Sequence, residues 1–125
     1  MVIYLRGDLG AGKTTLVRAL LNALGYQGRV KSPTYTLLEQ YEVAGLSLRH
    51  FDLYRFRDAV EWETAGFHDE FDGHNICLVE WPEQATGLLP PADVEISFEI
   101  LPEGRNISLY AHTDTGRGCL NSLEK

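Results

Sequence analysis

Gly7-Asp8-Leu9-Gly10-Ala11-Gly12-Lys13-Thr14 decides how this chain is read. A glycine, four residues and then Gly-Lys-Thr is the spacing of a phosphate-binding loop. Val2-Ile3-Tyr4-Leu5 before it is apolar and β-prone, which predicts a buried strand. Thr15 to Leu24 after it predicts a helix, with Gly25 placed to end it. Strand, glycine loop and helix in that order are the setting in which such a loop works. Its glycines let the backbone curl so that successive N–H groups point inward at an anion. The first helical turn adds unpaired N–H groups and the positive end of the helix dipole. On this reading Asp8, Leu9, Gly10, Ala11, Gly12, Lys13, Thr14 and Thr15 cradle the phosphates of a nucleotide. Lys13 brings a mobile charge, and the Thr14 hydroxyl a ligand for Mg²⁺.

Working outward, the helix is apolar around most of its circumference (Leu16, Val17, Ala19, Leu20, Leu21, Ala23, Leu24), so it should be covered on more than one side. Ser32-Pro33-Thr34 opens a β-prone stretch to about Val43, and Leu46 to Phe51 alternates as a half-buried strand does. The two runs are close enough to form a hairpin, so the sheet is expected to be mixed. His50 reads as a structural histidine within the second run, and Asp52 falls at its end. Asp58 and Glu61 form a capping-box pattern for a short helix that Gly66 ends. Ile76-Cys77-Leu78-Val79 is the continuous apolar run of a central strand buried on both faces. Glu80 at its carboxyl end is placed to reach a Mg²⁺ beside Thr14, and Trp81 after it reads as a packing residue. Val94 to Ile100 alternates with one acidic face, Pro102 to Arg105 reads as a turn, and Ile107, Leu109 and Ala111 carry a returning strand. The tail from about Thr113, rich in Gly, Ser and Thr, is expected to be loose. The fold expected is α/β: residues 1–125 as a single phosphate-loop NTPase-like domain, its mixed sheet mostly parallel at the centre with antiparallel hairpins.

Composition bounds the function. At 125 residues, 44% hydrophobic and 23% charged, the chain suits one ordinary globular core. A formal net charge of −7 opposes non-specific binding to nucleic acid or an anionic membrane. Its two cysteines, Cys77 and Cys119, form no disulfide framework or zinc spacing, and Cys77 reads as core. With no apolar run long enough to span a bilayer and no signal-peptide pattern, a cytoplasmic setting is the expectation.

Four blocks carry a resemblance: Gly7 to Thr15 (GDLGAGKTT), Ser32 to Leu37 (SPTYTL), His50 to Arg55 (HFDLYR) and Ile76 to Glu83 (ICLVEWPE). In this order and spacing they resemble the TsaE (YjeE) family, the bacterial ATPases of tRNA threonylcarbamoyladenosine synthesis, over nearly all of the chain to about Ala111. The resemblance implies an ATP- and Mg²⁺-dependent protein that acts with TsaD and TsaB, the pair that modifies adenosine 37 of tRNAs reading codons that begin with A. It implies that ATP hydrolysis supports repeated cycles of that pair rather than the transfer chemistry. Because the motifs place no arginine as an internal finger, hydrolysis is expected to be slow without partners. Lys13 and Thr14 match the family's phosphate and Mg²⁺ residues. Glu80 matches the carboxylate near the metal, so Thr14 and Glu80 are the implied metal residues. Asp52 matches a second acidic residue needed for hydrolysis, which makes Asp52, Glu80 and Lys13 the catalytic set. Thr34 lies in a segment resembling a switch loop, where a hydroxyl can sense the γ-phosphate. The resemblance also implies a segment before the first strand that encloses the base side of the nucleotide. This sequence starts at the strand, and Arg105 is the candidate for the nucleotide's outer side.

Three other readings share the loop. A small-molecule or nucleotide kinase needs an acceptor site and an arginine-rich lid, which the scattered Arg29, Arg49, Arg55 and Arg57 do not make. A GTPase calls for an Asn-Lys-x-Asp stretch, and the sequence has none. A nucleotide-gated binding module would use ATP occupancy alone to control docking, without hydrolysis.

Overall fold

A computed structural model of the chain describes residues 1–8, 12–30 and 37–123. Six strands form one sheet: β1 (Val2–Arg6), β2 (Leu38–Val43), β3 (Leu46–Asp52), β4 (Ile76–Glu80), β5 (Val94–Leu101) and β6 (Gly104–Ala111). Their spatial order is β2-β3-β4-β1-β5-β6. The four central strands are mutually parallel, and β2 and β6 pair antiparallel at the two edges. The mixed sheet expected from the hairpin spacing is therefore present, with an edge hairpin on each side. β1 sits in the middle of the sheet, so the chain leaves it at the centre of the carboxyl edge, where open α/β sheets bind ligands.

Helix α1 (Lys13–Ala23) comes after β1 and covers one face of the sheet. Period-2 alternation sorts the strands onto the two faces. Leu5, Leu48, Leu78 and Phe98 pack with Val17 and Leu21 of α1 and with Tyr41. Tyr4, Phe51, Leu53, Cys77 and Val79 point the other way, against Trp62 of the short helix α2 (Ala59–Ala65) and Phe67 of the 3₁₀ turn after it. Because both faces of β4 are covered, its run is apolar without interruption. The Asp58 carboxylate caps α2 by accepting the Glu61 N–H at 3.0 Å, and Glu61 returns to the Arg57 N–H at 3.0 Å.

The tail corrects the sequence-based expectation. Asp114–Leu123 is a helix, α3, rather than a loose end. Its start is fixed by Thr113, whose Oγ1 donates to Asp93 Oδ1 at 2.6 Å and accepts the Gly116 N–H at 3.0 Å. A Cβ on Gly116 would stand 1.9 Å from the Asp93 carbonyl oxygen. The small residues that suggested looseness are what lets this helix press its backbone onto the entrance of β5. Among the described residues no helix is long and apolar enough to cross a membrane.

Candidate functional site

The site begins where β1 ends. Gly12 has φ of +108°, which an L side chain rarely adopts, and it turns the chain directly into α1. Lys13, Thr14 and Thr15 are the first three residues of that helix, so their N–H groups lack intrahelical partners. Lys13 is 4% exposed. Its Nζ donates to the Gly7 carbonyl at 2.6 Å and lies 3.8 Å from the centroid of the Trp81 ring. Burial pushes its pKa down, while the Glu80 and Asp52 carboxylates pull it back up. A desolvated ammonium of this kind gains more from an anion than a solvated one does.

Thr14 Oγ1 donates to Glu80 Oε2 at 3.0 Å. Glu80 closes β4, the strand beside β1, and is 3% exposed. Its Oε2 also lies 2.5 Å from His50 Nε2, and His50 is wholly buried. Asp52 is the register partner of Glu80 on β3, so the two carboxylates end adjacent parallel strands on the face that α1 covers. Asp52 Oδ1 accepts the Tyr54 N–H at 3.1 Å. Burial raises the Asp52 pKa; the Tyr54 N–H works against that rise, and the Glu80 charge adds to it. Trp81 is a non-glycine residue in the left-handed region, at φ of 59°. That conformation turns its ring beneath Lys13, with the Tyr54 ring 5.0 Å away on its other contact.

The structure therefore gathers Lys13, Thr14, Glu80 and Asp52 at the carboxyl edge of the sheet. Asp8 and Thr15 are exposed beside them. Leu9, Gly10, Ala11 and Thr34 lie outside the described residues. Arg105 is the second residue of β6, opposite Ile100, three positions beyond the Arg6–Ser97 pairing, on the same edge of the sheet but two strands from the loop. Its side chain is exposed, and it reaches the Gly104 carbonyl at 3.0 Å.

Two residues read as structural belong to this cluster. His50 is on the same strand face as Asp52, two positions earlier, and that spacing was the available signal. Trp81 comes directly after Glu80, but nothing in the sequence foretells its left-handed backbone. Among the described residues no three His, Cys, Asp or Glu side chains form a metal cage. Mg²⁺ keeps several waters and needs only one or two protein oxygens beside phosphate oxygens; Thr14 and Glu80 are residues that could supply them. A buried cation, a hydroxyl and two carboxylates around one helix start are equipped to hold a polyphosphate with its divalent ion.

A sequence model of the family described as "Threonylcarbamoyl adenosine biosynthesis protein TsaE" matches residues 1–107. A Haemophilus influenzae protein named tRNA threonylcarbamoyladenosine biosynthesis protein TsaE is 48% identical over 123 residues, 98% of this chain and 78% of that one. The Bacillus subtilis protein of the same name is 41% identical over 95 residues, 76% of this chain and 59% of that one. A crystal structure of Bacillus subtilis YdiB superposes with a TM-score of 0.77 at 30% identity, covering 98% of this chain and 76% of that chain.

Proposed function

The chain belongs to the TsaE family of tRNA threonylcarbamoyladenosine biosynthesis, and on that premise we propose that it binds ATP with Mg²⁺ and hydrolyses it in the service of the TsaB–TsaD pair. The observation that carries the reading is the 3.0 Å contact between Thr14 Oγ1, at the start of the phosphate-loop helix, and Glu80 Oε2, at the end of the adjacent strand. It joins the loop that cradles phosphates to a carboxylate able to act on their metal. In this reading Lys13 leaves the Gly7 carbonyl for the β- and γ-phosphates, and the N–H groups of residues 8–15 hold the phosphate oxygens. Thr14 and Glu80 hold the ion, which when bound neutralises charge developing on the phosphoryl oxygens. Asp52, kept partly desolvated beside Glu80, orients or deprotonates the attacking water. Thr34 senses the γ-phosphate, and Arg105 approaches the nucleotide's outer side.

Hydrolysis by the chain alone is slow in this scheme. Among the described residues no arginine joins Lys13, Thr14, Asp52 and Glu80 as an internal finger; Arg49 is committed to Glu42 and Glu70, and Arg57 to Glu61. A charge supplied by a partner is worth roughly 10³-fold or more in other phosphate-loop enzymes. The same commitments argue against a kinase lid. The test is a phosphate-release assay on the chain alone and with TsaB and TsaD added. A slow basal rate raised by the pair is expected. A fast rate that the pair leaves unchanged, or phosphate transfer to an added small acceptor, would overturn the proposal.

A further inference from the structure

We infer that His50 is the positioning residue for Glu80: its imidazole donates from Nε2–H to Glu80 Oε2 and keeps that carboxylate aimed when Thr14 turns to the metal ion. The inference deepens the ATPase reading and rests on it. Three observations carry it. His50 Nε2 lies 2.5 Å from Glu80 Oε2, and both side chains are cut off from solvent, at 0% and 4% exposure. His50 Nδ1 is buried with no hydrogen-bond partner among the described residues. A proton on Nδ1 would be an orphaned donor, so the tautomer that satisfies the pair carries its proton on Nε2. Finally, both donors to Glu80, Thr14 Oγ1 and His50 Nε2, converge on the same oxygen, and no described residue donates to Oε1.

The convergence gives the histidine its task. Thr14 has two demands on one hydroxyl: it holds Glu80 here, and it is the residue that would ligate the ion. Once it turns to the ion, His50 is the donor that remains on Glu80. A buried, charge-assisted bond from a strand-borne ring is a rigid tether. His50 reaches neither phosphate nor metal; it acts through Glu80. It is set by the sheet itself, because His50 and Glu80 stand on adjacent parallel strands, on the face α1 covers, with Leu78 as His50's register partner.

The closing experiment has two arms. In the first, long-range ¹H–¹⁵N NMR of the full chain reads the His50 ring without any nucleotide. An Nε2–H tautomer with a slowly exchanging proton is expected, with its resonance moved by Glu80→Gln. An Nδ1–H tautomer, or an Nε2 proton exchanging as in free histidine, would overturn the inference. In the second, ATP hydrolysis with TsaB and TsaD is measured for wild type, His50→Leu and His50→Gln, each checked for folding by thermal melt. His50→Leu should lower kcat roughly ten- to hundredfold with KM little changed. His50→Gln, which can present an amide N–H near the same place, should recover part of that loss. A His50→Leu enzyme with wild-type kcat, or equal losses in Leu and Gln, would overturn the inference while leaving the ATPase reading intact. A wild-type chain that does not hydrolyse ATP even with its partners would sink the ATPase reading and, with it, the catalytic role given to His50. The NMR arm reports on the His50–Glu80 bond separately.

Discussion

Glu80→Gln separates holding the nucleotide from acting on it. The change keeps the side chain's shape and removes one buried charge. Two hydrogen bonds end on Glu80 Oε2, from Thr14 at 3.0 Å and from His50 at 2.5 Å. With the amide oxygen in that place both survive as neutral bonds, each weaker by about 1 kcal/mol. Against that loss of about 2 kcal/mol stands the relief of no longer burying a carboxylate, which is worth several kcal/mol before compensation. The two largely cancel, so folding stability should stay within about 2 kcal/mol of wild type. The phosphate contacts assigned to Lys13 and the loop N–H groups are untouched, so ATP affinity should change by less than about tenfold, or 1.4 kcal/mol. Hydrolysis, which needs the charge itself, should fall on the order of 10²- to 10³-fold, the loss seen when one preorganised electrostatic group is removed from an active site. Titration calorimetry reads the affinity, denaturant melts the stability and phosphate release the rate. Equal losses of affinity and rate in a folded variant would refute the division of labour and make Glu80 a scaffold residue.

Further outcomes rest on single contacts. Lys13→Ala should weaken ATP binding roughly ten- to hundredfold, the worth of a hydrogen bond from a charged group, and leave the fold intact. Since Lys13 Nζ lies 3.8 Å over Trp81, ATP·Mg²⁺ should change the tryptophan emission of wild type but not of Trp81→Phe; an unchanged wild-type spectrum at saturating ATP would count against Lys13 leaving that ring. Asp93 accepts from Val2 N at 2.7 Å and from Thr113 Oγ1 at 2.6 Å, tying β1, β5 and α3 together, so Asp93→Ala should cost about 2–4 kcal/mol in denaturant melts. Burial pushes the Asp93 carboxyl up, but the Thr113 hydroxyl and the Val2 N–H outweigh it and hold the carboxyl below its ordinary value. Its stabilisation is therefore full above the unfolded-chain value and is lost as pH falls through the folded one; Asp93→Asn should flatten that part of the acid limb, and an unaltered limb would remove the assignment. Burial pushes the Cys77 thiol up to about 12, so a thiol reagent at mildly alkaline pH should find Cys77 only after unfolding; modification in the folded state would contradict its place in the core.

What the sequence made legible was local. The strand, loop and helix around Lys13 are contiguous, and each piece has its own signal in adjacent residues. Glu80 was legible because a short apolar run bounded by turn residues reads as a strand covered on both faces, and its end lies at the ligand edge. The hairpins were legible from length and alternation. His50 was not, because its partner lies 30 residues away on another strand, and only the β3–β4 register puts the two on one face, two positions apart. Trp81 was not, because its ring direction depends on a left-handed backbone that no propensity predicts for tryptophan. α3 was hidden by its composition. Glycine and serine lower helix propensity, yet here tertiary contact at Asp93 outweighs it.

The proposed site also bears on how so acidic a chain would take an anion, and on what it should refuse. The net charge of −7 acts at long range, but salt screens it within about 8 Å at physiological ionic strength. Inside the proposed cradle the field is set by nearby groups: the Lys13 ammonium and the first N–H groups of α1 stand against the Glu80 and Asp52 carboxylates, which a divalent ion arriving with the nucleotide would offset. A compact polyphosphate in that space meets the local positive charge. A tRNA backbone, spread over tens of ångströms, meets the whole surface, and on that scale repulsion prevails. Binding driven by phosphate neutralisation needs clustered lysines and arginines whose counterions are released. Arg49, Arg57 and Arg117 are instead each paired with acidic neighbours, and β5 presents Glu95 and Glu99 on one face. On the proposed reading the chain alone should therefore bind ATP and not tRNA. A gel-shift at near-physiological salt checks this: no complex is expected at micromolar protein. Sub-micromolar binding would show that a local basic surface outweighs the net charge and that the protein reads RNA itself.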